Sequence, residues 1–291
     1  MAQRVRGNRA ARRLKGKRAA SRPAAYPPSS LAVGIIGPGR AGLGLALALR
    51  RAGIRVLGVH GRRRKAVPRG VRLSVGDVPP WLGEADIILL AVRDDALEGA
   101  VRQLAPAHSA LAGSVVLHLS GALTSRVLAP LRRAGAAVGS LHPLMTVSAD
   151  PALAARRFRG AAFALEGDRQ AVRAATRIAQ ALGGMPFEVP AAAKVRYHAG
   201  AVFASNYLVA MLGAAEALLQ AAGLSERHAR EALGPLAAAS VANVARVGPV
   251  RALTGPVARG DAAVVRRHMA ALPAALKRSY AAAGREPCGK R

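Results

Sequence analysis

The sequence contains very little cysteine, and this excludes several kinds of site. Cys288 is the one cysteine among 291 residues, so neither a disulfide framework nor a cysteine-based zinc site can be built. The seven histidines show no H-x-x-x-H or H-E-x-x-H spacing, and no paired carboxylates accompany them, so we expect no metal site. A chain without disulfides fits a reducing compartment, and we predict a cytoplasmic location.

Long apolar runs and aromatic residues are also scarce. Because no window holds about twenty uninterrupted apolar residues, the sequence predicts no membrane span. Aromatic residues make up 3% of the chain and do not interleave with the basic residues, which argues against a stacking surface for single-stranded nucleic acid. We therefore expect no membrane partner and no nucleic acid, and look for a small-molecule ligand instead.

Acidic residues are few, at 15 against 44 Lys and Arg, and the formal net charge is +29. Residues 1–23 hold nine of the basic residues with no acid and no apolar face, so we predict a disordered basic tail and linker over 1–29. This tail lacks the apolar core of a secretory signal. It could be an organelle transit peptide, a loose nucleic-acid-binding segment or an extension without a role, and we favour the last reading.

A glycine-rich turn follows the first apolar strand pattern. Gly37, Gly39 and Gly42 have the spacing G-x-G-x-x-G, with a strand pattern before them and an apolar helix pattern after them. In such a turn the first glycine allows the tight bend, the second lets the backbone approach a pyrophosphate, and the third lets helix and strand pack closely. The predicted pyrophosphate-binding residues are Gly37, Pro38, Gly39, Arg40, Ala41 and Gly42.

The end of the second predicted strand, 55–60, indicates which dinucleotide would bind. An NAD site usually has an Asp or Glu there, but this strand runs into His60-Gly61-Arg62-Arg63. Arginine can hold a 2′-phosphate bidentately, so we predict NADP(H) rather than NAD(H), with Arg62 and Arg63 on the phosphate. Val92 and Arg93, at the end of the buried strand 86–92, complete the predicted cofactor site. The alternative is that these arginines are solvated charges of a basic protein.

Strand and helix patterns alternate up to about residue 190, which predicts an α/β fold with a doubly wound parallel sheet. After that the patterns are helical only: 191–222, from Ser225 to about 247, and 261–282. We predict a dinucleotide-binding domain over 30–190, an all-α domain for substrate binding and dimerisation over 191–283, and a tail over 284–291. The wide apolar faces of the helices favour a homodimer.

Several stretches of the chain resemble a known family. The matching segments are Gly37–Gly42, His118–Gly121, Leu141–Leu144, Tyr197–Asn206 and Leu253–Asp261. Residues 31 to about 275 resemble a bacterial family of predicted oxidoreductases that joins a Rossmann-like domain to a helical domain of unknown function. The N-terminal half is similar to pyrroline-5-carboxylate reductase, prephenate dehydrogenase and the deazaflavin-dependent NADP reductases. The resemblance implies the fold of the 6-phosphogluconate dehydrogenase superfamily and an NAD(P) cofactor.

The related enzymes also suggest roles for individual residues. Ser120 and His142 match positions that contact the reacting substrate in prephenate dehydrogenases, and both follow predicted strands at the sheet edge where ligands bind. Asn206 matches an asparagine of the β-hydroxyacid dehydrogenases, whereas their catalytic lysine position falls on Val202. This departure rules out a simple transfer of that mechanism.

His198 could replace the missing lysine as a general acid. With Val202 and Asn206 it has the spacing i, i+4, i+8, which places the three on one helix face, and an imidazole suits proton transfer near neutral pH. The alternative is a surface histidine bonded to a carbonyl. We rank His118 lower, as a core histidine, and Arg259 could bind a substrate carboxylate or pair with Asp261.

Two functions are compatible with these residues. The first is an NADP-dependent oxidoreductase that transfers a hydride between nicotinamide and a small carbonyl, imine or hydroxy acid. Its predicted catalytic residues are Ser120, His142, His198 and Asn206, with Arg259 on the substrate. The second is a non-catalytic NADP(H)-binding regulator, which the missing lysine favours.

Overall fold

The computed structural model describes residues 31–285. The chain divides into two compact units, of which the first ends at Ala201 and the second begins at Val202. The predicted tail over 1–29 lies outside the described residues, and so does the predicted tail over 284–291 except for residues 284 and 285, which are helical.

The first unit is built on an eight-stranded sheet with the order β3-β2-β1-β4-β5-β6-β7-β8. The strands are β1 (Ala32–Ile36), β2 (Arg55–Gly61), β3 (Leu73–Val75), β4 (Ile87–Leu90), β5 (Val115–His118), β6 (Ala137–Leu144), β7 (Ala162–Gly167) and β8 (Met185–Glu188). The helices between them are α1 (Arg40–Arg51), α2 (Asp94–Leu104), α3 (His108–Leu111), α4 (Ala129–Arg133), α5 (Pro151–Arg157) and α6 (Arg169–Ala181). The predicted α/β fold, with a sheet followed by a helical region, is confirmed.

The core lies on both faces of the sheet. All four residues of β4 are fully buried, as the continuous apolar run in the sequence indicates. Alternate side chains of this strand enter opposite cores: Leu89 packs on the side of α1 and α6, whereas Leu90 packs on the side of α2. Helices on both faces leave the carboxyl ends of the strands as the accessible edge.

The prediction that the whole sheet is parallel is wrong for its last two strands. β7 pairs antiparallel with β6, and β8 pairs parallel with β7, so both run against the rest. The connection from β6 to β7, residues 145–161, contains the seven-residue helix α5. β7 begins at Ala162, which pairs with Leu144, the last residue of β6, so the chain returns from the same end of the sheet.

The second unit is helical. The chain enters it through a 3-10 turn (Ala191–Ala193), α7 (Lys194–Val202) and a π-helical segment (Phe203–Tyr207). The remaining helices are α8 (Leu208–Ala221), α9 (Glu226–Val247), α10 (Pro249–Ala252), α11 (Gly255–Ala258), α12 (Ala262–Ala271) and α13 (Ala274–Arg285). Ser225 caps α9 as predicted, since its side chain accepts a hydrogen bond from His228 N.

Two details of the helical region differ from the sequence pattern. α9 continues through Gly234 and Pro235, although this pair is typical of a helix break. The single predicted helix over 261–282 is wrong, because the chain forms α12 and α13 with a break at Leu272. Leu272 precedes Pro273, and the proline ring disfavours the helical conformation in the residue before it.

The helical run Ala191–Ala221 is long and apolar enough, by length and composition, to cross a membrane. None of its most apolar stretch is buried. A helix that packs against a partner protein passes the same test, so one such helix is weak evidence for a membrane. The expectation that the chain has no membrane span stays a prediction.

Candidate functional site

The glycine turn between β1 and α1 leaves room for a ligand beside its second glycine. A Cβ on Gly37 would lie 2.5 Å from Ala91 O, and one on Gly42 would lie 2.0 Å from Gly37 O, so the fold itself requires these two glycines. A Cβ on Gly39 would meet only Ala91 O, at 4.0 Å. Packing therefore does not explain Gly39, whereas close approach of a pyrophosphate does.

The first turn of α1 is open to an anion. Gly39 is the N-cap and carries no side chain that could satisfy the first backbone N–H groups of the helix. The first turn, which contains Arg40, Ala41 and Gly42, has no acidic residue. The positive end of the helix dipole and its unpaired N–H groups thus face the space above the glycine turn.

A cleft of about 1120 Å³ lies at the carboxyl ends of β1, β2 and β4. Its lining includes the predicted cofactor residues Gly37, Pro38, Gly39, Arg62, Arg63, Val92 and Arg93. A volume of this size accommodates a large small-molecule ligand. The structure therefore brings most of the predicted cofactor-binding residues into one cleft of the first unit.

Four consecutive cations line this cleft after β2: Arg62, Arg63, Arg64 and Lys65. All four are exposed, and within residues 31–285 none of them forms an ion pair or a side-chain hydrogen bond. Arg93 differs, because its guanidinium pairs with Asp95 two residues later. The side chains that are free to meet an added phosphate are thus those that follow β2.

His60 stands near the position where an NAD site usually carries an acid. It is buried; Nε2 donates to Gly76 O at 3.0 Å, which leaves Nδ1 to accept from Ser74 Oγ at 2.9 Å. Burial lowers the pKa of His60, so the ring is neutral at neutral pH. The end of β2 itself therefore carries no carboxylate, although the charge of Asp77 acts on His60, and the residues present fit a nicotinamide dinucleotide.

A second group of polar residues lies at the carboxyl ends of the neighbouring strands β5 and β6. Ser120 follows β5; its hydroxyl donates to Asp94 Oδ2 at 2.7 Å and accepts from Ala122 N and Leu123 N. Asp94 begins α2, directly after the cleft residue Arg93. The Ser120 hydroxyl thus ties the loop after β5 to the loop after β4.

Three ring side chains meet beside this loop. His142 Nδ1 lies 2.7 Å from Tyr197 Oη, and the ring centroids of His142 and His198 are 5.9 Å apart. A Cβ on Gly121 would lie 2.5 Å from His198 Cδ2 and 2.8 Å from His142 Nε2. Only a glycine lets the two imidazoles approach the backbone so closely. The structure therefore brings the predicted residues His142 and His198 together and adds Tyr197, which the sequence analysis did not single out.

The protonation states of this group follow from its burial. Burial, together with the charges of His198 and Lys194, lowers the pKa of His142 to about 4. Burial also raises the pKa of Tyr197 to about 12. At neutral pH the His142 ring is neutral and Tyr197 keeps its proton, so either partner can donate in their shared hydrogen bond.

A buried lysine lies beneath these rings. Lys194, the first residue of α7, is 1% exposed, and its Nζ donates to Ser140 Oγ at 2.7 Å and to Ser120 O at 3.1 Å. Glu166 Oε2 lies 4.0 Å from Nζ. Burial lowers the pKa of Lys194 to about 8, while Glu166 and Asp94 act against this shift. Sequence analysis missed Lys194, since a lysine at a helix start normally faces solvent.

Glu166 is buried and fully bonded. Its carboxylate accepts from Ser125 N at 2.8 Å, from Ser125 Oγ at 2.7 Å and from Ser140 Oγ at 3.4 Å. The register places His118, Ser140 and Glu166 side by side on β5, β6 and β7. His118 accepts a hydrogen bond from Ser120 N, and burial with the charge of Lys194 lowers its pKa to about 3. As expected, His118 is a core histidine.

The last two predicted site residues, Asn206 and Arg259, belong to the second unit. Asn206 lies in the π-helical segment, where Ser205 Oγ donates to its side-chain oxygen. The assumption that His198, Val202 and Asn206 share a face rests on 3.6 residues per turn, which the wider π-turn does not keep. Arg259 is the C-cap of α11 and forms no ion pair with a described residue, while Asp261 caps α12. Their catalytic and binding roles stay predictions.

Two family models match the chain, and the second match includes β7, α6 and β8 of the first unit. Residues 18–143 match a model of a Rossmann-like domain, and residues 161–286 match DUF2520, a domain of unknown function. No curated protein matches the sequence.

Several solved structures share the fold at low sequence identity. A proposed NADP oxidoreductase from Bacteroides fragilis is 22% identical, with a TM-score of 0.68 over 91% of this chain and 100% of that one. Pyrroline carboxylate reductase from Plasmodium falciparum, solved with NADP bound, is 13% identical, with a TM-score of 0.60 over 89% of this chain and 96% of that one.

An NADH-preferring ketol-acid reductoisomerase from an uncultured archaeon is 14% identical, with a TM-score of 0.61 over 89% of this chain and 82% of that one. At these identities the likeness extends to the fold alone. The two domain matches show that the chain joins a Rossmann-like domain to a DUF2520 domain.

Proposed function

We propose that this protein is an NADP-dependent oxidoreductase that acts on a small carbonyl, imine or hydroxy-acid substrate. The observation that carries the proposal is the cleft at the carboxyl ends of β1, β2 and β4. Packing does not explain why residue 39 is a glycine, and the same cleft contains four cations after β2 that form no ion pair with a described residue. The structural relatives whose names include NADP support this reading.

In this proposal each part of the cleft has one task. Gly39 and the start of α1 hold the pyrophosphate, while Arg62 and Arg63 hold the 2′-phosphate. The bound nicotinamide supplies or accepts the hydride, and the protein orients it and excludes water. Val92, at the wall of the cleft, lies between the glycine turn and the loop that carries Ser120.

In this proposal, three ring side chains transfer the proton to or from the substrate: His142, Tyr197 and His198. When Tyr197 donates to Nδ1 of the neutral His142, Nε2–H can donate a hydrogen bond to a substrate carbonyl or imine. When Nδ1–H donates to Tyr197, Nε2 can accept a proton from a hydroxyl group. In reduction the Nε2 proton passes to the product while the Tyr197 proton moves to Nδ1, and solvent reprotonates the phenol. In oxidation the imidazolium that forms releases its proton to solvent, and His198 beside it offers a second imidazole.

The decisive experiment replaces Gly39 by Ala and measures the binding of NADPH and of NADH. The backbone at Gly39 is extended and a Cβ has free space, so the variant should fold and melt like the wild type. It should nevertheless lose about tenfold or more in affinity for both cofactors, because the methyl group stands where the pyrophosphate must approach. Gly200→Ala, in open space on α7, is the control.

Arg62→Ala/Arg63→Ala tests the preference for NADP. Loss of charged hydrogen bonds to the 2′-phosphate should weaken NADPH binding by about tenfold or more and leave NADH binding nearly unchanged. The control is Arg156→Ala/Arg173→Ala, two exposed arginines away from the cleft. If the wild type binds neither cofactor, the oxidoreductase proposal fails.

A non-catalytic NADP(H)-binding regulator is the alternative that Val202, in place of a catalytic lysine, favours. His142→Ala and His198→Ala separate the two functions. An enzyme should keep its cofactor affinity in both variants and lose turnover in a screen of carbonyl and imine substrates. Tight binding without turnover of any substrate in the wild type would favour the regulator.

We further propose that the second unit forms a homodimer. Its large apolar side chains are exposed, among them Phe203, Val209, Leu236 and Val250. Exposed apolar patches of this kind mark interaction sites in soluble proteins, and a second copy of the chain offers a matching apolar face. Sedimentation of the wild type should give twice the chain mass, and Phe203→Glu should give the monomer, whereas Arg227→Ala should not. Flotation with phosphatidylglycerol vesicles would instead favour a membrane surface.

A further inference from the structure

Lys194 is a charge buried among the polar groups of three strands, and its location is costly. Ser120 O belongs to the loop after β5, Ser140 to β6 and Glu166 to β7, and all three face the ammonium group. Taking an ammonium ion out of water costs free energy that pairing only partly returns, so apolar side chains in place of both Lys194 and its buried partner Glu166 would serve stability as well. The position of Lys194 therefore calls for a reason beyond stability.

The residues bound by Lys194 adjoin the three ring side chains of the site, which are His142, Tyr197 and His198. Ser120 precedes Gly121, against which both imidazoles rest. Ser140 lies two residues before His142 on β6, so their side chains leave the strand on the same face. On α7, Tyr197 and His198 lie three and four residues after Lys194 and share its helix face.

We propose that Lys194 is the positioning residue of this site: it fixes the backbone at Gly121 and the ring of His142 relative to each other through Ser120 O and Ser140 Oγ. The inference rests on the proposed function for its chemical purpose, since a hydride acceptor and a proton donor must be held within a fraction of an ångström. Lys194 touches neither ring by a hydrogen bond among the described residues, so it acts through its neighbours.

Its charge has a second effect on the same ring. The charged and titratable groups that face Lys194 are Glu166 from β7, Asp94 from α2, His118 from β5 and His142 from β6. Those that face His142 are His198, Tyr197 and Lys194 from α7 and His118 from β5. A positive charge here favours the neutral imidazole, so removing it must raise the pKa of His142.

The test is an NMR titration of the histidine ring nitrogens in the full chain, without cofactor. In Lys194→Met the midpoint of His142 should rise by roughly half a pH unit or more, because a nearby positive charge is lost. The amide signal of Gly121 should also move. Lys277→Met, on α13 in the second unit, is the matched control and should change neither signal.

A second measurement covers the case in which Lys194→Met does not fold. In the wild type, with lysine side chains labelled at ¹³Cε, Lys194 should titrate well below the other lysines. The ring nitrogens of His142 and the amide of Gly121 should show an inflection at that same pH. An unchanged His142 midpoint in folded Lys194→Met, or a wild type without this shared inflection, would overturn the proposal.

The outcome is independent of the proposed function. Failure of NADPH to bind would remove the oxidoreductase proposal and leave the ring titration as it is. Conversely, NADPH binding with an unaffected His142 in Lys194→Met would leave the cofactor site standing and show that Lys194 only holds strands together.

Discussion

The two units of this chain have similar apolar content and opposite burial. The first unit places its leucines, valines and isoleucines in two cores on either side of the sheet. In the second unit, as far as residue 284, Ala229 is the one buried residue, and Phe203 is 68% exposed. A sheet covered on both faces by helices buries its own apolar residues, whereas helices with wide apolar faces need a covering surface from elsewhere.

This contrast separates two sources of stability. The free energy of unfolding of the first unit comes from contacts within the chain and does not depend on protein concentration. That of the second unit, if it dimerises as proposed, includes the association step and rises with concentration. Substitutions matched across the two units can therefore test the comparison.

The largest difference is expected between two phenylalanines. Phe163 is fully buried in β7 and stacks on Phe158 at a ring distance of 6.2 Å. Phe163→Ala should cost about 3–5 kcal/mol of unfolding free energy at every protein concentration. Phe203→Ala should cost less than about 0.5 kcal/mol in dilute solution and more as the concentration rises. Urea unfolding at two concentrations measures both, and equal losses would contradict the comparison.

The next difference is a dependence on pH. The folded pKa of His118 is lowered to about 3, so as the pH falls below about 6.5 the unfolded chain binds a proton that the folded chain does not. As the pH decreases below about 6.5, the free energy of unfolding should therefore decrease by about 1.4 kcal/mol per pH unit for this histidine. It should reach its full value above about pH 6.5.

His118→Asn keeps an acceptor for Ser120 N and should flatten this slope by one proton. His228 is exposed in the second unit, and His228→Gln should leave the slope unchanged. Thermal melts between about pH 4 and about pH 7 measure both variants. A slope that survives in His118→Asn would show that other groups take up the proton.

Two glycines should respond with opposite signs. A Cβ on Gly121 would collide with His198 and His142, so Gly121→Ala should destabilise the first unit by about 1–3 kcal/mol and shift the imidazole signals. Gly213 lies inside α8 with nothing within 4 Å of its Cβ position. Gly213→Ala should stabilise the second unit by about 0.5–1 kcal/mol, through helix propensity. Calorimetry of both variants checks the pair.

The smallest difference between the two units is expected at two helix caps. Asp150 caps α5 by accepting from Ala152 N, and Asp261 caps α12 by accepting from Val264 N. Because capping is local, Asp150→Ala and Asp261→Ala should each cost about 1 kcal/mol. Hydrogen exchange at the first turns of the two helices measures this. A much larger loss at Asp261 would point to a further contact of its carboxylate in the assembled protein.

The sequence predicts the strands and helices of the first unit well, because buried strands between helices produce short apolar runs. It does not predict that β7 and β8 run backwards, since an apolar run has no direction. The direction is set by the pairing of β7 with β6, a long-range contact that the local sequence does not show. Pro273 was a readable signal for the break between α12 and α13.

The candidate site shows the same division. The G-x-G-x-x-G spacing and the arginines after β2 are local patterns, and the structure brings them into one cleft. Lys194 and Glu166 are far apart in sequence, and each would normally face solvent. The one available signal was that Glu166 is the only acid in the apolar run that forms β7.

The π-helical segment after α7 has a consequence for alignment. A π-turn is the form that a helix takes when it has absorbed one extra residue. An alignment with a relative whose helix is regular therefore needs a one-residue gap between positions 203 and 207. Without that gap, each residue from Leu208 to Ala221 is aligned with a residue of the relative that is one position away and faces another direction. A residue that is identical in the two proteins is then read as a substitution.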